Sequence, residues 1–146
     1  MNPNNDQRLA NQLCFPLYAA SRLVTRLYQP LLDQYDLTYP QYVVLMILWE
    51  DDGITVGEIG SQALLNSNTL TPILKRMEKA ELIDRVRDED DERKMLIHLK
   101  NKGRELQTEL ACLPSQLIEN IHYDVEKALQ LKQLLVELVT QLDKKL

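Results

Sequence analysis

Apolar residues recur at spacings of three and four through residues 7–34: Leu9, Leu13, Leu17, Ala20, Leu23, Val24, Leu27 and Leu31. That period predicts a long amphipathic helix. Pro16 and Pro30 fall inside it. Pro16 lacks a backbone donor and crowds the carbonyl of Gln12, which predicts a kink there. A second helix is expected over 39–50, with Thr38 as N-cap and Pro40 in its first turn; Asp51, Asp52 and Gly53 end it. Thr55 and Glu58 have capping-box spacing and open a short helix over 56–64. Leu65 and Asn66 read as a turn. Ser67 is the expected cap of a helix over 68–80, whose inner stripe is Leu70, Ile73, Leu74 and Met77. Pro72 lies about one turn inside it and should disturb only the first backbone hydrogen bonds.

The period then changes. Residues 83–87 alternate as a strand does, and residues 94–99 form a second strand-like run. The polar stretch between them, 88–93, reads as a hairpin loop. Two helices joined by a short turn and followed by a hairpin make a winged helix-turn-helix. Helix returns over 101–146, with Pro114 separating a segment of about 101–111 from one of about 122–145. In the last segment Val125, Leu129, Leu131, Leu134, Leu135, Leu138, Val139 and Leu142 form a wide stripe. The expected fold is mainly α with a small β-hairpin, a single compact domain overall. A winged helix-turn-helix spans 39–104, and residues 1–38 and 105–146 form a helical region. The apolar faces of that region are broader than a small wing domain covers alone. They either pack within one subunit or interlock two chains in a two-fold dimer, and the dimer is the reading adopted because helix-turn-helix proteins read two-fold sites.

With 45% hydrophobic residues in 146, the chain is globular rather than disordered. No apolar run approaches the roughly 18–20 residues that span a bilayer, and the polar N-terminal segment has no signal-type apolar region. A cytoplasmic protein with no membrane association and two reduced cysteines is the expectation. The net charge of -5 argues against nucleic acid only if it is evenly spread. It is not. Residues 66–104 hold 10 basic and 8 acidic side chains, net +2, whereas residues 1–65 carry net -4 and 105–146 net -3. Phosphate attraction is local, screened beyond about 10 Å at 0.1 M salt, so a basic middle can bind DNA between acidic ends. A solvated face is the plainer account of charge alone.

In the 68–80 helix, Asn68, Thr69, Thr71 and Pro72 are short or polar and suit close approach to base edges. Ser67, Thr69 and the helix N-terminus could hold phosphate, and Lys75 and Arg76 add cationic reach. Arg93 is a lone cation at the end of an acidic loop, as befits a wing tip entering a narrow minor groove, and Asp91 is placed to hold its guanidinium. Arg85, Arg87 and Lys94 would flank the phosphates. Asp88, Glu89, Asp90 and Glu92 oppose binding. His98 and His122 have no Cys or carboxylate partners at ligand spacing, so neither a metal nor another cofactor is expected.

Residues 55–65 and 67–78, the trio Asp91, Glu92 and Arg93, the run 95–99, and Lys102 with Gly103 resemble the MarR family of transcriptional regulators. Residues 9–15, 17–22, 28–33 and 37–42 resemble its organic-hydroperoxide-sensing branch. The resemblance runs almost end to end and weakens beyond Gly103. It implies a homodimeric repressor of double-stranded, pseudo-palindromic operator DNA, released when an organic hydroperoxide oxidises an N-terminal cysteine. Cys14 matches that sensor. Tyr28 and Tyr39 match tyrosines that hydrogen-bond it from the partner subunit, and Tyr18 lies one helical turn from Cys14. Cys112 is a candidate for the distal cysteine that, in some members, forms an intersubunit disulfide with the sensor. Three positions depart from the pattern: Pro16, Glu81 where a glycine commonly follows the recognition helix, and Lys100 after the second wing strand.

The chemistry is self-consistent. Thiolate, not thiol, attacks a peroxide, and a free Cys is only a few per cent ionised at neutral pH. Phenolic donors to sulfur favour the anion. The sulfenic acid formed can condense with a second thiol. Leu13, Phe15 and Leu17 would favour apolar peroxides. Other readings remain: Cys14 as a small buried hydrophobe, the tyrosines as core aromatics, Cys112 as an inert surface thiol, and a regulator released by a phenolic or other apolar ligand. A thiol peroxidase is disfavoured because no thioredoxin-type βαβ pattern is present, so the protein is read as a non-enzyme.

Overall fold

The computed structural model describes residues 8–145. Residues 1–7 and 146 lie outside the description, and with them the expected helix start at Gln7 and the first part of the polar N-terminal segment. The chain divides into two compact units, one ending at Ala111 and one beginning at Cys112.

The first unit runs α1 (Cys14–Leu32), α2 (Tyr39–Glu50), β1 (Ile54–Thr55), α3 (Val56–Ala63), α4 (Ser67–Lys79), β2 (Ile83–Arg87), β3 (Met95–Leu99) and α5 (Asn101–Glu109). Short 3-10 turns at Leu9–Asn11 and Asp33–Tyr35 flank α1. The expected kink at Pro16 is not there. Because α1 starts at Cys14, Pro16 is its third residue, where a backbone donor has no intrahelical acceptor to lose. Pro30 sits in the last turn of α1, which gives way to the 3-10 turn and to Asp36 in the left-handed region (φ 55°).

Helix α2 is apolar on nearly every side and is accordingly the centre of the unit. Tyr42, Val44, Leu45 and Leu48 are buried, and α2 packs against α1, α3, α4 and α5. The Gln41 side chain accepts from the Thr38 backbone at 2.8 Å and closes the helix start. Ile59 from α3, Leu70, Leu74 and Met77 from α4, and Ile83 and Ile97 from the sheet complete the core. Each such aliphatic side chain contributes about 1.5–3 kcal/mol on burial. The N-terminal helix and the helix after the wing fall within this unit, where Leu32, Leu37, Leu106 and Leu110 are buried.

The hairpin is a three-stranded antiparallel sheet in the order β1-β3-β2, with Ile54 opposite Ile97, Ile83 opposite Leu99 and Arg87 opposite Met95. The added strand, β1, is two residues long, too short to show an alternation in sequence. Two glycines are required around the sheet. Gly53 has φ 77°, and a Cβ there would come within 2.7 Å of the His98 ring. At Gly103 a Cβ would overlap the Leu82 carbonyl oxygen, while its own carbonyl accepts from the Trp49 indole at 2.8 Å. Gly103→Ala is therefore expected to cost about 1–3 kcal/mol through forced separation of α5 from the residues before β2. Urea unfolding of the purified variant measures it, and an unchanged midpoint would show that the contact relaxes freely.

Two of the unusual residues explain each other. Glu81 takes a left-handed backbone, φ 61°, in the turn after α4, where a side chain is strained. Its carboxylate lies 3.6 Å from the ammonium of Lys100, which is also 3.7 Å from Asp84. Lys102 donates to the Ala80 carbonyl at 3.0 Å and helps finish α4.

The second unit holds α6 (Leu113–Asn120) and α7 (Val125–Asp143). The helix break expected beside Pro114 is present, since α5 ends at Glu109, and Pro114 stands in the first turn of α6, a helix absent from the sequence reading. His122 turns the chain with φ 49°, and the Asp124 carboxylate caps α7 by accepting from the Lys127 backbone at 2.9 Å. None of the residues of α7 is buried.

Candidate functional site

The turn between α3 and α4 is built locally. The Glu58 carboxylate accepts from both the Thr55 backbone and the Thr55 hydroxyl at 2.7 Å, and the Glu58 backbone donates back to Thr55 at 3.2 Å. These hydrogen bonds hold the Glu58 carboxyl below the usual carboxylate range. Leu64 closes α3 with φ 53°, and the Leu65 backbone donates to the Gly60 carbonyl at 2.9 Å. The cap of α4 is Asn66, whose side chain accepts from the Thr69 backbone at 2.9 Å; Ser67, the expected cap, is instead the first helical residue. Asn, like Ser, is a strong N-cap type, and the two were adjacent in sequence.

With Leu70, Leu74 and Met77 buried, α4 turns Ser67, Asn68, Thr69, Pro72, Lys75 and Arg76 to solvent, and leaves Thr71 half-buried. This is the face of the sequence-predicted recognition residues. Ile73, assigned to the inner stripe, is only half-buried.

The wing tip is held by carboxylates. Asp88 accepts from the backbones of Asp90 and Asp91 at 2.8 and 3.2 Å. Asp91 accepts from the Arg93 side chain, Nε at 3.0 Å and Nη2 at 3.5 Å, as its spacing predicted. That contact lowers the Asp91 carboxyl below its ordinary range. Arg93 is 91% exposed in its side chain even so. Arg87 and Lys94 are exposed nearby. Arg85, expected beside them at the phosphates, turns elsewhere: its Nε and Nη2 both lie 2.8 Å from Oε2 of Glu78 on α4. At the other edge of the sheet, the Asp52 carboxylate accepts from the Leu99 backbone at 2.8 Å and pairs with Arg104 at 2.7 Å. Neither ion pair was read from the sequence, since both join segments of different elements.

Cys14 is exposed at the first position of α1. The Tyr18 hydroxyl, one turn along, accepts from Arg22 at 2.9 Å, and the same guanidinium lies 5.5 Å from its ring centre. Tyr28 is buried against Tyr39, ring centres 5.1 Å apart, and Tyr42, 5.9 Å. Tyr42, which the sequence reading gave no role, continues the aromatic run to Trp49 at 6.1 Å. Burial, with Tyr39 and Tyr42 adding to it, pushes the Tyr28 phenol up to about 12, so it remains a protonated donor at neutral pH. Cys14 and Tyr28 are fourteen residues apart on one helix, about 21 Å at a rise of 1.5 Å per residue. Tyr28 of the same chain therefore does not reach the thiol. Cys112, also exposed, begins the second unit, and its sulfur accepts from the Gln116 amide at 3.4 Å. Among the described residues no helix is long and apolar enough to cross a membrane.

A family model described as transcriptional regulator SarA/Rot matches residues 26–110, from within α1 to the residue after α5. The organic hydroperoxide resistance transcriptional regulator of Bacillus subtilis (strain 168) is 44% identical over 144 residues, 99% of this chain and 98% of the relative. The chain belongs to the MarR/SarA family of winged-helix transcriptional regulators. Two solved structures place this regulator within the family. Reduced AbfR bound to DNA is 36% identical with a TM-score of 0.80, covering 98% of this chain and 97% of that one. Disulfide-formed AbfR is 37% identical with a TM-score of 0.63, covering 97% and 94%. AbfR comes from Staphylococcus epidermidis.

Proposed function

We propose that this regulator is a homodimeric repressor of pseudo-palindromic double-stranded DNA, released when an organic hydroperoxide oxidises Cys14. The observation that carries the reading is the separation within α1. The exposed Cys14 thiol and the buried Tyr28 phenol stand about 21 Å apart on one helix, so a contact between them needs a second chain. The likeness to a regulator of organic hydroperoxide resistance, and to AbfR solved reduced on DNA and in a disulfide form, supports a thiol switch.

In this reading α4 lies in the major groove, with Ser67, Asn68, Thr69, Thr71 and Pro72 toward base edges and phosphate, and Lys75 and Arg76 on the backbone. The wing carries Arg93 into the minor groove, steadied by Asp91, while Arg87 and Lys94 flank the phosphates. The Cys14 thiolate attacks the outer peroxide oxygen; the alkoxide leaves and is protonated to an alcohol, and sulfur becomes a sulfenic acid. Tyr28 and Tyr39 of the second chain hydrogen-bond the sulfur, and Tyr18 lies alongside. The sulfenic acid then condenses with the Cys112 thiol of the other chain, forming an S–S bond and releasing water. Because the bridge needs Cα atoms within about 7 Å, a helix must move, and with it the spacing of the two recognition helices.

The test uses a duplex selected by the reduced wild-type protein from a random-sequence pool. Fluorescence anisotropy should show release on adding cumene hydroperoxide and rebinding with dithiothreitol. Continued binding after stoichiometric oxidation overturns the reading. Arg93→Ala should weaken binding to the selected duplex by about 1–3 kcal/mol while leaving the fold intact. Unchanged affinity at moderate salt removes Arg93 from the interface.

A further inference from the structure

Glu78 stands in the last turn of α4, at the end of a helix that disfavours an anion. It also faces the polar side of an element read as approaching phosphates. On both counts a carboxylate there is unfavourable by itself. What it does is bind Arg85 of β2 through two nitrogens, both at 2.8 Å, in a contact shielded enough to leave the Arg85 side chain 24% exposed. The pair is a direct polar link between the recognition helix and the first wing strand, two elements that also pack on each other.

The lever arm makes the link consequential. From Arg85 to the loop apex near Asp90 is five residues, strand as far as Arg87 and turn beyond it, a reach of at most about 17 Å at roughly 3.3 Å per residue. A swing of about 10° at Arg85 moves the apex by up to about 3 Å, half the roughly 6 Å width of a B-form minor groove. A wing that is to enter one groove while α4 sits in the next must be held to better than that.

We infer that Glu78 and Arg85 are positioning residues, which fix the angle between the recognition helix and the wing so that both grooves are engaged together, and that Arg85 is not a phosphate contact. This rests on the reading of α4 and the wing as the DNA interface. If wild type fails to bind the selected duplex, that reading fails. If wild type binds, the variants decide the inference.

Binding of full-length Glu78→Gln, Arg85→Gln, Arg85→Lys and the reversed pair Glu78→Arg with Arg85→Glu is measured by anisotropy over a potassium chloride series. Circular dichroism and thermal unfolding confirm that each is folded. A phosphate contact predicts that Arg85→Gln lowers the salt slope by about one, that Arg85→Lys is near wild type, and that Glu78→Gln binds more tightly. The positioning role predicts the opposite pattern. Both Gln variants lose affinity by a similar factor, about tenfold, with the salt slope unchanged. Arg85→Lys is impaired too, because an ammonium does not present two nitrogens in a fixed fork. The reversed pair recovers most of the loss. Tighter binding by Glu78→Gln, or a slope that falls only when Arg85 is removed, overturns the inference.

Discussion

Cys14→Ser is expected to bind the selected duplex as wild type does and to stay bound when cumene hydroperoxide is added. Serine is nearly isosteric with cysteine, and the side chain is exposed at the first position of α1, so stability should change by no more than about 0.5 kcal/mol. What is lost is the nucleophile: a hydroxyl at neutral pH does not attack a peroxide bond at the rate of a thiolate. Coupling between an effector site and a binding site is typically about 1–3 kcal/mol, or 5–150-fold, and the wild-type response should fall in that range while the variant's is zero. Cys112→Ser separates the two chemical steps. It should still form a sulfenic acid at Cys14, seen by mass spectrometry after dimedone trapping, but give no intersubunit band on a non-reducing gel. Peroxide release of Cys14→Ser equal to wild type would remove the thiol from the mechanism. The same band in Cys112→Ser would remove only Cys112.

What the sequence revealed, and what it hid, follows from the range of each interaction. The capping box at Thr55 and Glu58 and the Asp91–Arg93 contact lie within three residues and were legible as spacings. The buried stripe of α4 was legible because burial imposes a period of 3.6. Of the three prolines taken as breaks, Pro16 and Pro114 sit in first turns and Pro30 in a last turn. Pro16 and Pro114 carry the same local chemistry whether they kink a helix or begin one, and only the position of the preceding residue decides. Strand β1 was hidden because two residues carry no period. The Glu78–Arg85 and Asp52–Arg104 pairs were hidden because charge counts say nothing of which side chain faces which. Arg85 was accordingly counted with the free cations of the wing. The gap between Cys14 and Tyr28 was present in the numbering throughout, but it acquires meaning only once both are known to lie on one unbroken helix.

Leu134→Asp should have the larger structural consequence. Leu134 is 64% exposed in the single chain, and Val125, Leu129, Val136 and Leu142 on α7 are more than half exposed. Leu13, just before α1, and Leu23 on it are similarly open. A 19-residue helix in which nothing is buried draws little stability from its own hydrogen bonds, because helices in proteins are held chiefly by packing of an apolar face. Exposed apolar side chains repeated along a helix are where the proposed dimer would form. In a monomer, Leu134→Asp would remove one exposed apolar side chain and change stability by no more than about 0.5 kcal/mol. In the proposed dimer it puts a carboxylate into a dry interface, at a cost of several kcal/mol, on the order of 3–5. Sedimentation equilibrium should therefore give a dimer for wild type and a monomer for Leu134→Asp at micromolar concentration. Two independent half-site contacts forgo the effective concentration that a dimer supplies, so DNA affinity should fall on the order of a hundredfold or more. Retention of both the dimer and the affinity would mean that the α7 face is covered by something other than a second copy, and the two-chain thiol site would lose its geometric basis with it.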